Sequence, residues 1–443
     1  MNDPKALIEL VLKESKAEET EVIYQETENA LTRFSNNVIT QNVSGTLASV
    51  SIRTVKNGKT ARVETNKLDK EGLKEAIKQA LKATEISKAD PELQKMESLH
   101  KYKTIKSYCE KTANMTPLER AEAVEKAAKA SSKVGFNAAG IFSSGKVKII
   151  LANSKGLFLE QATSQADFDL TVVTENSEGW AQNTSFTIDN ICIDEVVNTA
   201  IEKAEKSRFP QAHPPGKYTV IMEHAAVADL LLFMNWIGFS TKAIQEKRSY
   251  FANKLNKKIF GNNITIIDDA FNKDAPGIPF DFEGIPREQV RLIEKGVFKN
   301  MLYDRRTAKK DGKKSTGHGL PEPNLQGPFA LNLCIEPGNS SVKEMIASTD
   351  KGILVTHLHY TNILNPADLT LTGMTRDGTF LIEKGKIKHP VRNYRFTESL
   401  INVFNNVELL SKDRKYVSGF FFGGALVPAL KVKGFNFSSA TEF

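Results

Sequence analysis

Cysteine is scarce in this chain of 443 residues. The three that occur, Cys109, Cys192 and Cys334, lie far apart and form no Cys-x-x-Cys pair. That excludes a disulfide framework and a cysteine-rich zinc site, and it points to a cytoplasm. Long apolar runs are also missing. A membrane helix needs about 18–20 such residues, and the longest candidate starts at Ala225, is broken by Asp229 and ends at Asn235. The opening MNDPKALIELVLKES lacks the basic-then-apolar order of a signal peptide and reads as an amphipathic helix. There is no GxSxG elbow, no GxxxxGK[ST] loop and no GxGxxG after a strand. Charge of one sign is not concentrated either: the formal charge is +7, from 60 basic and 53 acidic residues. The run Lys309-Lys310-Asp311-Gly312-Lys313-Lys314 reads as a solvated turn. Nucleic-acid binders gather charge on one face or interleave it with aromatics, so nucleic acid is not an expected partner, and neither is a membrane.

What is present is the composition of a globular protein, 40% hydrophobic and 26% charged, long enough for two or three domains. Asp3-Pro4 starts a helix as N-cap and first helical proline, with Leu7, Ile8, Val11 and Leu12 on one stripe. Strand patterns follow in EVIYQ, ALTRFSNNVITQN, TLASVSIRTV and TARVET, with an Asn57-Gly58 hairpin signal. Asp69 opens a second helix, and the unit closes near residue 95. Thr116-Pro117-Leu118-Glu119 is a capping box. It heads a second helix–strands–helix segment over 112–208, so the spacing predicts a duplicated α+β unit. Pro210, Pro214 and Pro215 mark the break before 217–443. There, many short strand patterns predict a large antiparallel β-rich domain. The pentapeptide LIEKG occurs at 292–296 and again at 381–385, which suggests a further internal duplication. The stretch from Gly419 through Phe420, Phe421 and Phe422 to Gly424 reads as a buried strand ending in a turn.

Several pieces, taken in order, resemble the TldD/PmbA family, whose older name is modulators of DNA gyrase. They are RFSNNVITQNVSG, VIMEHAAVADLL, RSYFANKLNKKI, TIIDD, PFDFEGIPREQVRLIEKGVFKNMLYDRRTAKKDGKKSTGHG and LTLTGMTRDGTFLIEKGKIKHPVRNYRFTESL. The resemblance implies a cytosolic protein with an α+β N-terminal region and a β-rich C-terminal one. One branch of the family is a metallopeptidase that holds zinc with a His-Glu-x-x-x-His helix and a later cysteine. The PmbA or TldE branch lacks those residues and pairs with the active one, in peptide maturation and the breakdown of small unfolded proteins.

A catalytic zinc takes three protein ligands and leaves one position for water, with a carboxylate to accept the proton. Laid on this sequence, the family pattern puts Glu223 at the first His, His224 at the Glu and Ala228 at the second His. Ala228 offers no donor, and no cysteine follows Cys334. A register shifted by one offers His224 and Asp229 as ligands but leaves Ala225 where the base belongs. The segment is apolar nearly all round, as in a buried helix, with His224 capping or packed at its first turn. A separate histidine site is the alternative candidate. His357 and His359 are two apart in a strand pattern and share a face, His318 lies in the glycine-flanked STGHGL, and His224 is a fourth candidate.

The sequence therefore implies a family member with a degenerate zinc site and no cofactor of its own. It is expected to act as a non-catalytic or regulatory subunit, as a homodimer or with an active TldD-like partner, on peptide or unfolded-protein substrates. Two alternatives stand beside it: a metal-dependent hydrolase built on the histidines, and a module that binds gyrase or DNA.

Overall fold

The computed structural model describes residues 3–419 and 423–441. The reading of 419–424 as one buried strand therefore falls partly outside the described residues.

Local signals act as expected at the N-terminus. Asp3 caps the helix Pro4–Glu14, which buries Leu7, Ile8 and Val11. Asp69 accepts the Gly72 amide at 2.8 Å and starts the helix Lys70–Ile86. Thr116 and Glu119 form the reciprocal capping box of the helix Pro117–Lys133. Asn57 and Gly58 both have positive φ, as the two-residue hairpin turn requires.

The two helix–strands–helix segments share one six-stranded antiparallel sheet. Its order is Lys59–Thr65, Val38–Lys56, Glu19–Ser35, Asn137–Asn153, Phe158–Val173, Glu178–Ser185. The first strands of the two segments pair at the centre, in register from Glu21 opposite Asn153 to Phe34 opposite Gly140. Two cores form, each drawn mainly but not wholly from one half. One gathers Leu7, Val11, Val22, Ile52, Leu73 and Ile77; the other gathers Phe142, Phe168, Leu170, Val124, Val197 and Ala200. Gly179 brings the last helix, Ile193–Lys206, directly onto the edge strand, since a Cβ there would lie 2.1 Å from the Ala204 nitrogen. That close approach places Trp180 and Lys203 at the boundary with the C-terminal domain.

The C-terminal domain is an eleven-stranded sheet. Five strands close on themselves: Gly216–Met222, Lys351–Asn365, Thr370–Glu383, Tyr394–Ser399 and Gly424–Ala440, the last pairing back to the first. The antiparallel expectation holds for most of the sheet and needs one correction. Gly352–Val355 runs parallel to Thr219–Met222, and Asn332–Cys334 runs parallel to Gly424–Leu426. The crossover that a parallel pair requires is supplied by the long chain between its strands. The repeated LIEKG is a shared turn: Lys295-Gly296 and Lys384-Gly385 all have positive φ. The sheet surroundings differ, because Val290–Glu294 pairs with Ile266–Asp268 whereas Thr370–Glu383 lies within the closed ring. Among the described residues no helix is long and apolar enough to cross a membrane.

Candidate functional site

The strand Gly216–Met222 ends in the closed ring and passes at once into the helix His224–Gly238. The turn is fixed by the Glu223 amide, which donates to the Val355 carbonyl at 3.0 Å, and by the Val227 amide, which donates to the Glu223 carbonyl at 3.2 Å. Glu223 is thus the N-cap residue, with extended backbone. The helix buries His224, Ala226, Val227, Ala228, Leu230 and Leu231, among others, as its near-uniform apolarity demands.

The Glu223 carboxylate is occupied by the Lys203 ammonium at 2.5 Å, which reaches across from the N-terminal region. His224 faces the Asp413 carboxylate, with 3.1 Å between Nε2 and Oδ2. Burial lowers the His224 pKa, and Asp413 only partly offsets this. Ala228 and Asp229 line a cavity of about 450 Å³ between the two regions, together with Asp169, Trp180, Trp236 and His357.

The chemistry of that cavity is set by burial. Burial pushes Asp169 up to about 6, despite the bond its Oδ2 accepts from the Trp180 indole at 3.0 Å. Burial likewise pushes Asp229 up to about 6, with only the Thr361 hydroxyl opposing. Asp229 Oδ2 has no hydrogen-bond donor. His357 is held neutral, lowered to about 3 by burial and then by the nearby Lys203 and Arg376 charges. Its Nε2 lies 3.4 Å from Asp377 Oδ2, its ring stands 4.5 Å from that of Trp180, and its Nδ1 is unpartnered. Behind it, burial and the neighbouring Glu178 raise the Asp377 pKa.

The histidines do not gather. His357 opens onto this cavity, whereas His359 lines a second one of about 500 Å³ and accepts from the Arg376 guanidinium at 2.8 Å. The pairing is unbroken from His357 to His359, so the two share a face as alternation requires, yet they open onto different cavities. His318 is fully buried elsewhere, between Asp268 at 3.0 Å and the Thr316 hydroxyl at 2.8 Å. Cys334 is buried, its thiol pushed up to about 12 by burial. Among the described residues no three His, Cys, Asp or Glu side chains form a metal-binding group.

Sequence reasoning missed Asp169, Trp180, Glu178 and Asp377. A signal existed for Asp169: in QADFDL the acids at 167 and 169 flank the buried Phe168 and so lie on the sheet face opposite the core. Nothing local ties that face to the helix at 224.

Both acids ionise at a cost. An acid whose folded pKa is raised binds its proton more tightly in the native state, so stability is lost as pH rises from the unfolded value near 4 to the folded value near 6. Asp229→Asn is therefore expected to stabilise the chain at pH 8, on the order of 1–3 kcal/mol after allowance for partial exposure. The gain should vanish near pH 4. Urea unfolding at both pH values checks this, and equal effects at the two would refute the burial argument.

The fold is thus a closed β ring with a helix leaving it and a cavity against an α+β region. The chain matches the family model for the PmbA/TldA metallopeptidase C-terminal domain over residues 215–439, for domain 1 over 20–84 and for the central domain over 66–208. It belongs to the TldD/PmbA family. It is 26% identical to an uncharacterized protein of Methanocaldococcus jannaschii over 342 residues, covering 76% of this chain and 78% of that one. It is 24% identical to metalloprotease PmbA of Escherichia coli O157:H7 over 323 residues, covering 71% and 68%. Its fold matches the crystal structure of TldE from Thermococcus kodakarensis with a TM-score of 0.87 and 22% identity, covering 98% and 99%.

The residues at the family's metal positions do not fit a zinc ion. The carboxylate at 223 is paired with an ammonium, the histidine at 224 is turned to Asp413, and position 228 carries a methyl group. A catalytic zinc needs three protein donors and an open place for water.

Proposed function

We propose that this protein is a non-catalytic or regulatory subunit in cytoplasmic peptide processing, with a degenerate zinc site. It would work as a homodimer or with an active TldD-like partner. The observation that carries the reading is the Lys203 ammonium seated on Glu223. A cation fixed at a would-be ligand opposes a second cation there, and Ala228 removes another donor. The cavity itself persists, so the place for a peptide is kept while the means of cleaving it is not.

Substrate can be held through main-chain pairing. The strand Val38–Lys56 pairs with Lys59–Thr65 only from Val50 onward, so Val38–Ser49 is bonded on one side alone. That edge exposes Val38, Val43 and Leu47. An unpaired apolar edge accepts an extended peptide with little regard to its sequence.

The test is to measure zinc content and peptide cleavage for the isolated chain, and again with a partner carrying an intact His-Glu-x-x-x-His. The expected result is neither zinc nor turnover alone, and altered rate or specificity with the partner. Replacing His357 and His359 together by Ala should leave zinc content unchanged. Stoichiometric zinc with turnover in the isolated chain overturns the reading.

A further inference from the structure

The cavity beside Ala228 is rich in acceptors and poor in donors. Asp169 and Asp229 face it from opposite regions of the fold, and among its described lining residues none is Lys or Arg. The cations nearby are turned away. Lys203 is held by Glu223 at 2.5 Å, and Arg376 by His359 at 2.8 Å, with Glu178 and Asp377 beyond. Two buried polar atoms in the wall have no partner, Asp229 Oδ2 and His357 Nδ1. Buried acceptors without donors are uncommon and costly. His357, kept neutral, accepts at Nδ1 when its Nε2–H is directed to Asp377. The Asp229 carboxyl sits on a soft, two-fold torsion and can turn its free oxygen toward a ligand. Both indoles of the chain, Trp180 and Trp236, line the same space, and indole faces attract cations. The volume of about 450 Å³ suits a small group rather than a folded partner.

We propose that this cavity binds a primary ammonium group carried by a peptide, either its N-terminus or a lysine side chain, with Asp229 and Asp169 as counter-charges. The inference deepens the reading of the protein as a non-cleaving peptide-processing subunit by naming what the retained cavity holds. A primary ammonium brings three donors and one positive charge to a wall that offers acceptors and negative charge.

Binding should follow the carboxyls. Burial raises Asp169 to about 6, so the affinity it supplies is held above that pH and falls below it. His357 stays neutral through this range. Asp167 beside Asp169, Glu178 and Asp377 behind His357, and the paired Lys203 and Arg376 complete the charged surroundings.

The chain's only two tryptophans report on the cavity, so intrinsic fluorescence of the full chain reads binding directly. Three probes suffice at pH 7.5: Ala-Leu-Phe with a free N-terminus, the same tripeptide N-acetylated, and N-acetyl-Lys-Leu-Phe. At least one ammonium probe should bind tenfold or more tightly than the acetylated neutral one, since charged hydrogen bonds are worth about that factor or more. Which one does so identifies the source of the ammonium. Asp229→Asn and Asp169→Asn should each remove most of that preference. If either variant loses its native circular dichroism, the probe comparison on the unaltered chain decides. Equal binding of all three probes, or none, overturns the inference. Ammonium preference in a chain that also proved to be a zinc peptidase would sink the non-catalytic reading and leave this one standing.

Discussion

Arg287→Met is expected to destabilise the folded chain by about 3–5 kcal/mol, the usual result of removing one partner from a buried charge pair. The Arg287 and Asp268 side chains are wholly buried and joined by a charge-assisted hydrogen bond. Burial alone would raise the Asp268 pKa, but Arg287 and His318 together outweigh it and hold the carboxyl well below the usual carboxylate range. Asp268 also accepts the Asn332 amide at 2.8 Å, which fixes the strand pairing beside it. Without Arg287 the carboxylate keeps only His318 as a possible cation. Burial, and next Arg287, lower the His318 pKa. Losing Arg287 removes that second cause, so His318 protonates more readily in the variant. The destabilisation relative to the parent should therefore be smaller at pH 5.5 than at pH 8. The double variant Asp268→Asn with Arg287→Met should be more stable than Arg287→Met alone, because no bare charge remains. Urea unfolding at pH 5.5 and pH 8 reads all three effects. A single variant within 1 kcal/mol of the parent would show that the pair is not what holds this region together.

In the parent chain the same group sets an acid limit. A depressed folded pKa contributes stability that is present above the unfolded value near 4 and is lost as pH falls below it.

How far the sequence reaches follows from the range of each interaction. The capping box at Thr116, the cap at Asp69 and the turns at Asn57-Gly58 and Lys-Gly depend on residues within four positions, and all are legible. The joining of both N-terminal segments into one sheet rests on strands more than a hundred residues apart. Alternation within Glu19–Ser35 is the same whether its neighbour is Asn137–Asn153 or solvent. The C-terminal parallel ladders are hidden for the same reason. At the site, the apolar helix and the missing donor at Ala228 could be read directly, as could the candidacy of Asp229. The occupation of Glu223 could not, since Lys203 comes from another domain. His357 and His359 illustrate a different limit: alternation holds between them, but a shared face does not bring two side chains to one cavity.

The Lys203 ammonium also explains what restoring the family's metal motif would require. Glu223→His, His224→Glu and Ala228→His together recreate the His-Glu-x-x-x-His pattern. On a regular helix residues five apart are about 140° apart. Here position 223 is the N-cap, with extended backbone, so its side chain is not bound to that spacing. A third donor would have to come from the cavity wall, where Asp229 and His357 are the candidates. Lys203 nevertheless remains, freed of its carboxylate partner and next to the new imidazole. We expect the triple variant to bind zinc weakly and the addition of Lys203→Met to tighten it by about 10–100-fold, the range seen when groups just outside a metal's ligands are changed. Turnover should stay negligible even then. Asp413 sits where it now meets the His224 ring, so a glutamate at 224 would share its site with a like charge and hold its proton more tightly. Zinc retained after dialysis, measured by atomic absorption against peptide cleavage, separates the two claims. If the quadruple variant folds and holds no more zinc than the triple one, Lys203 is not the obstacle to metal at this helix.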